Sequence, residues 1–299
     1  MPLVNKILSK IGAWQGKSLI IEPISGGLTN SNYKVTVEGI PYFVRVPGES
    51  TNLLAIDRKN EYYNSKAASQ SGIGPKVIYH LPEFDVMVLE FLDGKTMSKY
   101  ELNVPGMPKR IAKSIKQLHA GPRFLNDFNM FRLTEYYIEI CKKHDIRMPL
   151  GFLERLATVN KIEEALSVHP VVTLPCNNDL LAENYIDDGT CLHIIDYEYS
   201  GNNDPYFELG NTSQELEYNE DQIRELCQEY FGIVTEAKLA RMKLNMIMSD
   251  VGWTLWAAIQ AKISKIQYDF WGWAIERWGR AVEKLDSGEF PLWLIEVRR

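Results

Sequence analysis

Residues 32–46 read NYKVTVEGIPYFVRV, and no other run limits the fold as sharply. β-Branched and aromatic side chains alternate on both sides of Glu38-Gly39, a turn signal, so the segment predicts a β-hairpin. Two more short apolar runs, 76–80 and 86–91, flank the turn-rich LPEFD and predict a second hairpin. Between the hairpins, residues 57–71 (DRKNEYYNSKAASQS) combine good helix formers with a capping aspartate at the start. Gly72, Gly74 and Pro75 follow, so one helix of about four turns is expected there, closing a small sheet.

Past Asp93-Gly94 the period changes. Residues 108–119, 130–144 and 152–168 have helical length and spacing with Pro and Gly between them, and residues 204–285 return to the same pattern. One compact apolar run, 191–199 (CLHIIDYEY), predicts a strand inside this helical part. The fold class is therefore α+β and bilobal, with a small antiparallel-sheet lobe at 1–92. A connection over 90–95 leads to a large, mainly helical lobe at 93–299. The cleft between two such lobes is the natural ligand site.

With 299 residues, 45% of them hydrophobic, the chain can bury a core of that size. Its 33 basic against 39 acidic residues give a net charge of −6, which repels a polyanionic backbone, so no nucleic-acid partner is expected. No run approaches the ~18 apolar residues of a membrane span. The start, MPLVNKILSKIGAWQGK, lacks the apolar core and cleavage site of a signal peptide. A cytoplasmic protein without membrane insertion is the expectation. Cys141, Cys176, Cys191 and Cys227 are scattered without metal-ligand spacing and read as reduced thiols.

The chemistry concentrates in Asn178-Asp179-Leu-Leu-Ala-Glu-Asn184 and the following Ile195-Asp196-Tyr197-Glu198-Tyr199. Phosphoryl transfer asks for a carboxylate that orients and deprotonates the acceptor hydroxyl, plus oxygen ligands that hold magnesium on the phosphates. Asp179, Asn184 and Asp196 supply that set, although an isolated D-x-x-x-x-N is more often an Asn/Asp-rich turn. Upstream, Gly26 and Gly27 permit close backbone approach to phosphate, and Thr29, Asn30 and Ser31 add polar side chains. Arg45 lies between Val44 and Val46, so alternation turns it to the face opposite the valines, toward the cleft.

Five of the seven tryptophans fall between Trp253 and Trp278. Trp253 and Trp256 share a helix face, and Tyr268, Phe270 and Trp273 follow on the next segment. Aromatics at helical spacing most often pack a core. An aromatic-lined pocket also attracts a quaternary ammonium, at ~0.5 to 2 kcal/mol per good contact, without asking the ligand for a hydrogen bond.

The blocks GGLTNSNY (26–33), FVRVPG (43–48), GIGPKV (72–77), NDLLAEN (178–184), IDYEYSGNNDPYFELGN (195–211) and WTLWAAIQAKIS (253–264) occur in one order. In these, over nearly its whole length, the chain resembles the choline/ethanolamine kinase family of the aminoglycoside phosphotransferase and protein-kinase-like superfamily. The resemblance implies a protein-kinase-like fold, ATP between the lobes, Asp179 as catalytic base, and Asn184 and Asp196 as Mg2+ ligands. It puts Arg45 in the place of the kinase strand lysine and Glu61 in that of the helix glutamate. Residues 89–92, with Glu90, become the hinge that meets adenine through its backbone. Trp253, Trp256 and Trp273 become the walls of a cation cage, with Glu215 as the acidic residue near it.

One departure stands out: the family has His just before the Asn-Asp pair, where this chain has Asn177, a shorter side chain that still donates and accepts hydrogen bonds. The small-molecule acceptor expected is choline, with ethanolamine and thiamine as competitors. A polycationic aminoglycoside would call for more acidic groups. A non-catalytic nucleotide-binding protein is the alternative that Asn177 raises. Oligomeric state is not encoded in any motif here.

Overall fold

The computed structural model describes residues 2–25, 27–48 and 51–299 of the chain. A five-stranded antiparallel sheet in the order β1-β2-β3-β5-β4 comes first. Its strands are β1 (Leu19–Ile24), β2 (Asn30–Val37), β3 (Ile40–Pro47), β4 (Val77–Leu81) and β5 (Val86–Glu90). The β2–β3 register closes on Val37 opposite Ile40. Glu38 (φ 50°) and Gly39 (φ 86°) form the two-residue turn, and positive φ at both central positions is the I′ geometry that matches strand twist. Alternation then sorts the faces. Val35, Val37, Val44, Val86 and Val88 are buried with Val4, Ile7 and Leu8 of helix α1 (Pro2–Leu8), whereas Arg45 turns the other way, toward helix α2 (Arg58–Gln70).

Helix α2 starts where the sequence signals it, because the Asp57 side chain accepts hydrogen bonds from the backbone N–H groups of Lys59 and Asn60. Its packing is less local. Ala67, Ala68 and the following Ile73 join the core of the helical part, and Asn60 and Asn64 both donate to the Ser200 carbonyl.

The helical part opens with β6 (Lys95–Thr96), α3 (Lys99–Leu102), α4 (Met107–His119), α5 (Met130–Lys143) and α6 (Leu156–Val168). Four short strands follow: β7 (Leu174–Cys176), β8 (Tyr185–Asp187), β9 (Leu192–Ile194) and β10 (Gly201–Asn203). They pair as β6-β8-β9 and β10-β7. Then come α7 (Pro205–Glu215), α8 (Glu220–Phe231), α9 (Glu236–Ile263), α10 (Phe270–Leu285) and α11 (Phe290–Glu296). Helix α9 is buried almost all round from Leu239 to Gln260 and packs on α5, α7, α10 and α11, which makes it the axis of the lobe. Among the described residues no helix is long and apolar enough to cross a membrane.

Two sequence expectations are corrected. The helix expected over 152–168 begins only at Leu156, because Gly151 has φ 76° and Phe152 makes a three-residue turn back to Pro149. The strand expected over 191–199 ends at Ile194, so Asp196 sits on a loop and not on a strand. Asp196 has φ 63°, and the carbonyls of Ile195 and Asp196 accept from the Asn177 side chain in place of a ladder partner.

Gly210 of α7 marks a close backbone crossing on the axis: a Cβ there would lie 2.7 Å from the Met242 carbonyl and 3.0 Å from Met246 N. Gly279 on α10 is exposed, with nothing within 4 Å of such a Cβ. Gly279→Ala should therefore stabilise the protein by up to about 1 kcal/mol through helix propensity. Gly210→Ala should destabilise it by about 1–3 kcal/mol through overpacking, despite the same propensity gain. Urea denaturation of the two variants checks the opposite signs.

Candidate active site

The loop after β7 is held from below by one face of α7. Glu208 accepts the backbone N–H of Asn177 (2.8 Å) and of Asn178 (2.7 Å) on its two oxygens, and Asn211, three residues on, accepts that of Leu180 (2.8 Å). Asn178, at φ 69°, takes an amide bond from Asn203 and donates to the Tyr199 carbonyl. Asn184 donates through Nδ2 to the Asp179 carbonyl (2.7 Å). Both ends of the loop are thereby fixed while the Asp179 carboxylate stays on the cavity wall. Burial pushes the Asp179 carboxyl well up, neighbouring Glu215 and Asp196 push it further, and Arg277 opposes them.

Asn177 connects this loop to the next one. Its Oδ1 accepts from Asp179 N (3.1 Å), and its Nδ2 donates to the carbonyls of Ile195 (3.1 Å) and Asp196 (2.8 Å). A single short amide thus braces Asp179 against Asp196. Behind it, buried His119 lies 3.3 Å from the Cys176 thiol and bonds Tyr230.

At the junction of sheet and helices, two guanidinium groups meet three carboxylates. Arg45 pairs with Glu61 (2.5 Å) and Asp196 (2.9 Å); Arg58 pairs with Glu61 (2.7 Å) and Glu198 (2.9 Å). Burial raises the Glu198 carboxyl, yet Arg45 and Arg58 outweigh it and hold it below its ordinary value. Burial raises the Asp196 carboxyl against the pull of Arg45. The Asp196 Oδ1 atom has no hydrogen-bond partner, and Asn184, whose Nδ2 is spent on Asp179, offers its Oδ1 from the same cavity wall. One uncompensated negative charge, an orphaned carboxylate oxygen and an amide oxygen together form an all-oxygen donor set that suits a hard divalent cation such as Mg2+.

A cavity of about 590 Å³ collects these groups, within the size range of small-molecule sites. Gly27, Thr29, Asn30, Asp179, Asn184, Asp196, Glu215, Trp253, Trp256 and Trp273 all line it. Gly26 lies outside the described residues. A Cβ at Gly27 would stand 2.8 Å from the Asn30 carbonyl, which explains the glycine. Thr29 and Asn30 both donate to Glu198, so their side chains tie the loop down to the helical part. Arg45, only 5% exposed, and Glu61 stand behind the cavity wall and not on it. Glu90 is apart from the cavity, its side chain accepting from the Lys76 backbone (3.3 Å).

The far wall is aromatic. Trp256 and Trp273 meet edge to face at 5.7 Å, Tyr268 stands at right angles to Trp273, and Trp253 packs edge-on to Tyr199. Trp278 is buried against Phe152 and Trp271 stacks on Arg147, so these two pack elsewhere, as their helix faces imply. Glu215 gives both oxygens to Arg277 at 2.7 Å. Arg58, Glu198, Glu208, Asn211, Tyr268 and Arg277 carry much of this architecture without a role foreseen from sequence. Their place in the quoted blocks and the Trp-rich run pointed to five of them, and Arg58 lay only in the helix expected over 57–71.

The family model for choline/ethanolamine kinase matches residues 21–241. A crystal structure of a choline/ethanolamine kinase family protein from Mesorhizobium loti superposes with a TM-score of 0.87 at 31% identity, covering 99% of this chain and 98% of that one. The choline kinase LicA from Streptococcus pneumoniae superposes at 0.79 with 24% identity, over 95% of this chain and 99% of that one. In sequence, a probable ethanolamine kinase A from Dictyostelium discoideum is 28% identical over 317 aligned residues, spanning 91% of this chain and 87% of that protein.

Removing the brace should loosen two loops at once. Asn177→Ala is expected to lower kcat about 100-fold, the scale of an ångström-sized misplacement, while nucleotide affinity stays within a few-fold. Steady-state rates beside calorimetric nucleotide titration check it, and an unchanged kcat would refute the bracing role.

Proposed function

The chain belongs to the choline/ethanolamine kinase family, phosphotransferases with an alcohol acceptor, and we propose that it transfers the γ-phosphate of ATP to the choline hydroxyl, giving phosphocholine. The observation that supports this most is spatial: Asp179, Asn184 and Asp196 share one cavity with the Trp253, Trp256 and Trp273 wall. An acceptor with an ammonium at one end and a hydroxyl at the other fits that span.

In this mechanism Asp179 orients the hydroxyl and accepts its proton, and burial raises its affinity for protons in the direction that a general base needs. Asn184 and Asp196 present Oδ1 atoms for Mg2+, which when bound would neutralise phosphate oxygens during transfer. Arg45 keeps Asp196 aimed and pairs with Glu61, the counterpart of the strand-cation and helix-glutamate pair of kinases. Gly27, Thr29 and Asn30 form the phosphate-facing loop, with Gly26 beside it, and the 89–92 backbone including Glu90 is the adenine hinge. Trp253, Trp256 and Trp273 hold the trimethylammonium through ring faces, and Glu215 backs them.

Ethanolamine and thiamine remain the competing acceptors. A primary ammonium needs hydrogen-bond acceptors around it, and the wall offers rings instead. A non-catalytic nucleotide-binding role is disfavoured because Asn177 makes bonds to both catalytic loops.

Purified protein with ATP and Mg2+ should phosphorylate choline faster than ethanolamine or thiamine. Asp179→Asn should cut kcat by about 10³-fold while leaving ATP binding intact. Turnover of none of the three acceptors, with nucleotide still bound, would overturn the kinase reading. Because burial raises the Asp179 carboxyl, activity should also fall as pH drops through a value well above the ordinary 3.8.

A further inference from the structure

A carboxylate that lines the cavity with the aromatic wall is already paired. Glu215, 8% exposed at the end of α7, receives one N–H from each terminal nitrogen of Arg277, both at 2.7 Å. Such a bidentate pair fixes geometry as well as charge. Arg277 is 1% exposed, and its guanidinium lies over the Trp273 ring at 4.2 Å from the centroid. Asp250, fully buried, adds a 3.4 Å contact to Arg277 and two bonds to Arg280. Within this set two guanidinium groups balance two carboxylates, and Glu215, Arg277 and Arg280 reach the cavity beside the aromatic wall.

We infer that Arg277 is a specificity-determining residue: by occupying both oxygens of Glu215 it makes the acceptor site select fully N-methylated ammonium over a primary one. This rests on the amino-alcohol kinase function proposed above. A primary ammonium brings three N–H donors that must be satisfied when water is stripped away. The wall of Trp253, Trp256, Tyr268 and Trp273 supplies ring faces. Of the other carboxylates on the cavity, Asp179 is assigned to the hydroxyl, Asp196 and Glu198 are paired with Arg45 and Arg58, and Glu183 belongs to the segment between Asp179 and Asn184. Glu276 belongs to the rim, with a 59% exposed side chain that pairs loosely with Arg280 at 3.7 Å. A trimethylammonium has no donor to satisfy and gains from every ring it touches. Each methyl group added to the nitrogen therefore removes one unmet donor and adds ring contact. Arg277 acts through Glu215 and touches no reacting atom, so it is a positioning residue.

The test is kinetic and has two parts. On the native enzyme, kcat/KM measured for ethanolamine, N-methylethanolamine, N,N-dimethylethanolamine and choline should rise at each step, by about tenfold or more overall. On Arg277→Gln, which frees the Glu215 carboxylate, the ethanolamine-to-choline ratio of kcat/KM should rise about tenfold. Arg277→Lys, which keeps the charge but makes fewer bonds, should give a smaller rise in the same direction. A general loss of packing would lower both acceptors together and leave the ratio unmoved. A flat or falling methylation series on the native enzyme overturns the inference, and so does a folded Arg277→Gln protein with an unchanged ratio. Both results leave the kinase assignment standing. No turnover of any acceptor in the series fails the assignment itself and takes the inference with it. Should Arg277→Gln not fold, the native series and Arg277→Lys decide alone.

Discussion

A guanidinium buried at 5% exposure cannot stand alone, and Arg45 is placed where only groups from two different parts of the chain can satisfy it. Glu61 reaches it from α2 and Asp196 from the loop after β9. Taking away one partner of such a buried pair costs about 3–5 kcal/mol, far more than an exposed ion pair contributes. The sheet core built on Val35, Val44 and Val88 is separate from the cores of the helical part. Charge pairing at Arg45 and Arg58, together with the packing of Leu54, Ala67, Ala68 and Ile73 into the helical cores, sets the sheet against the helices. The family's bilobal, protein-kinase-like fold follows from that joint as much as from its helices.

The same joint carries an imbalance that only a ligand resolves. Three carboxylates face two arginines there, and Asp179 adds a further negative group across the cavity with its proton affinity raised. Stability alone would favour an even count, since like charges in a poorly solvated site repel. Sites that transfer phosphoryl groups have a use for the surplus, because a divalent cation and the acceptor's ammonium both arrive positive. Glu215, Asp250, Arg277 and Arg280 form a contrasting set, in which two carboxylates meet two guanidinium groups.

Local patterns were legible from sequence and long-range pairings were not. The β2–β3 hairpin could be read because alternation and the Glu38-Gly39 turn both act within a few residues. The capping of α2 by Asp57 was equally local. The cavity also brings together Asp179, Asn184, Asp196 and the three tryptophans named from sequence. Glu198 and Arg58 lie 140 residues apart and Glu215 and Arg277 lie 62 apart, so each looks in sequence like a charged residue facing water. Asp196 was read as a strand residue for a related reason. Its left-handed φ is held by Asn177 from another segment, and nothing within CLHIIDYEY announces that support.

The amide at position 177 and the arginine at position 277 solve linked problems. Asn177 sets where the Asp179 carboxylate stands by holding its backbone N–H and the Asp196 carbonyl with one side chain. Glu215 raises the proton affinity of that carboxylate, and Arg277 lowers it. An unpaired Glu215 would push Asp179 further toward its neutral form, in which it cannot take a proton from the acceptor. On the proposed assignment, pairing Glu215 with Arg277 would serve both ends of the site: it would turn the ammonium end away from hydrogen-bonding ligands and would oppose the upward push of Glu215 on the Asp179 carboxyl. In the proposed mechanism, acceptor choice and the protonation of Asp179 are thus tied to the same few buried charges.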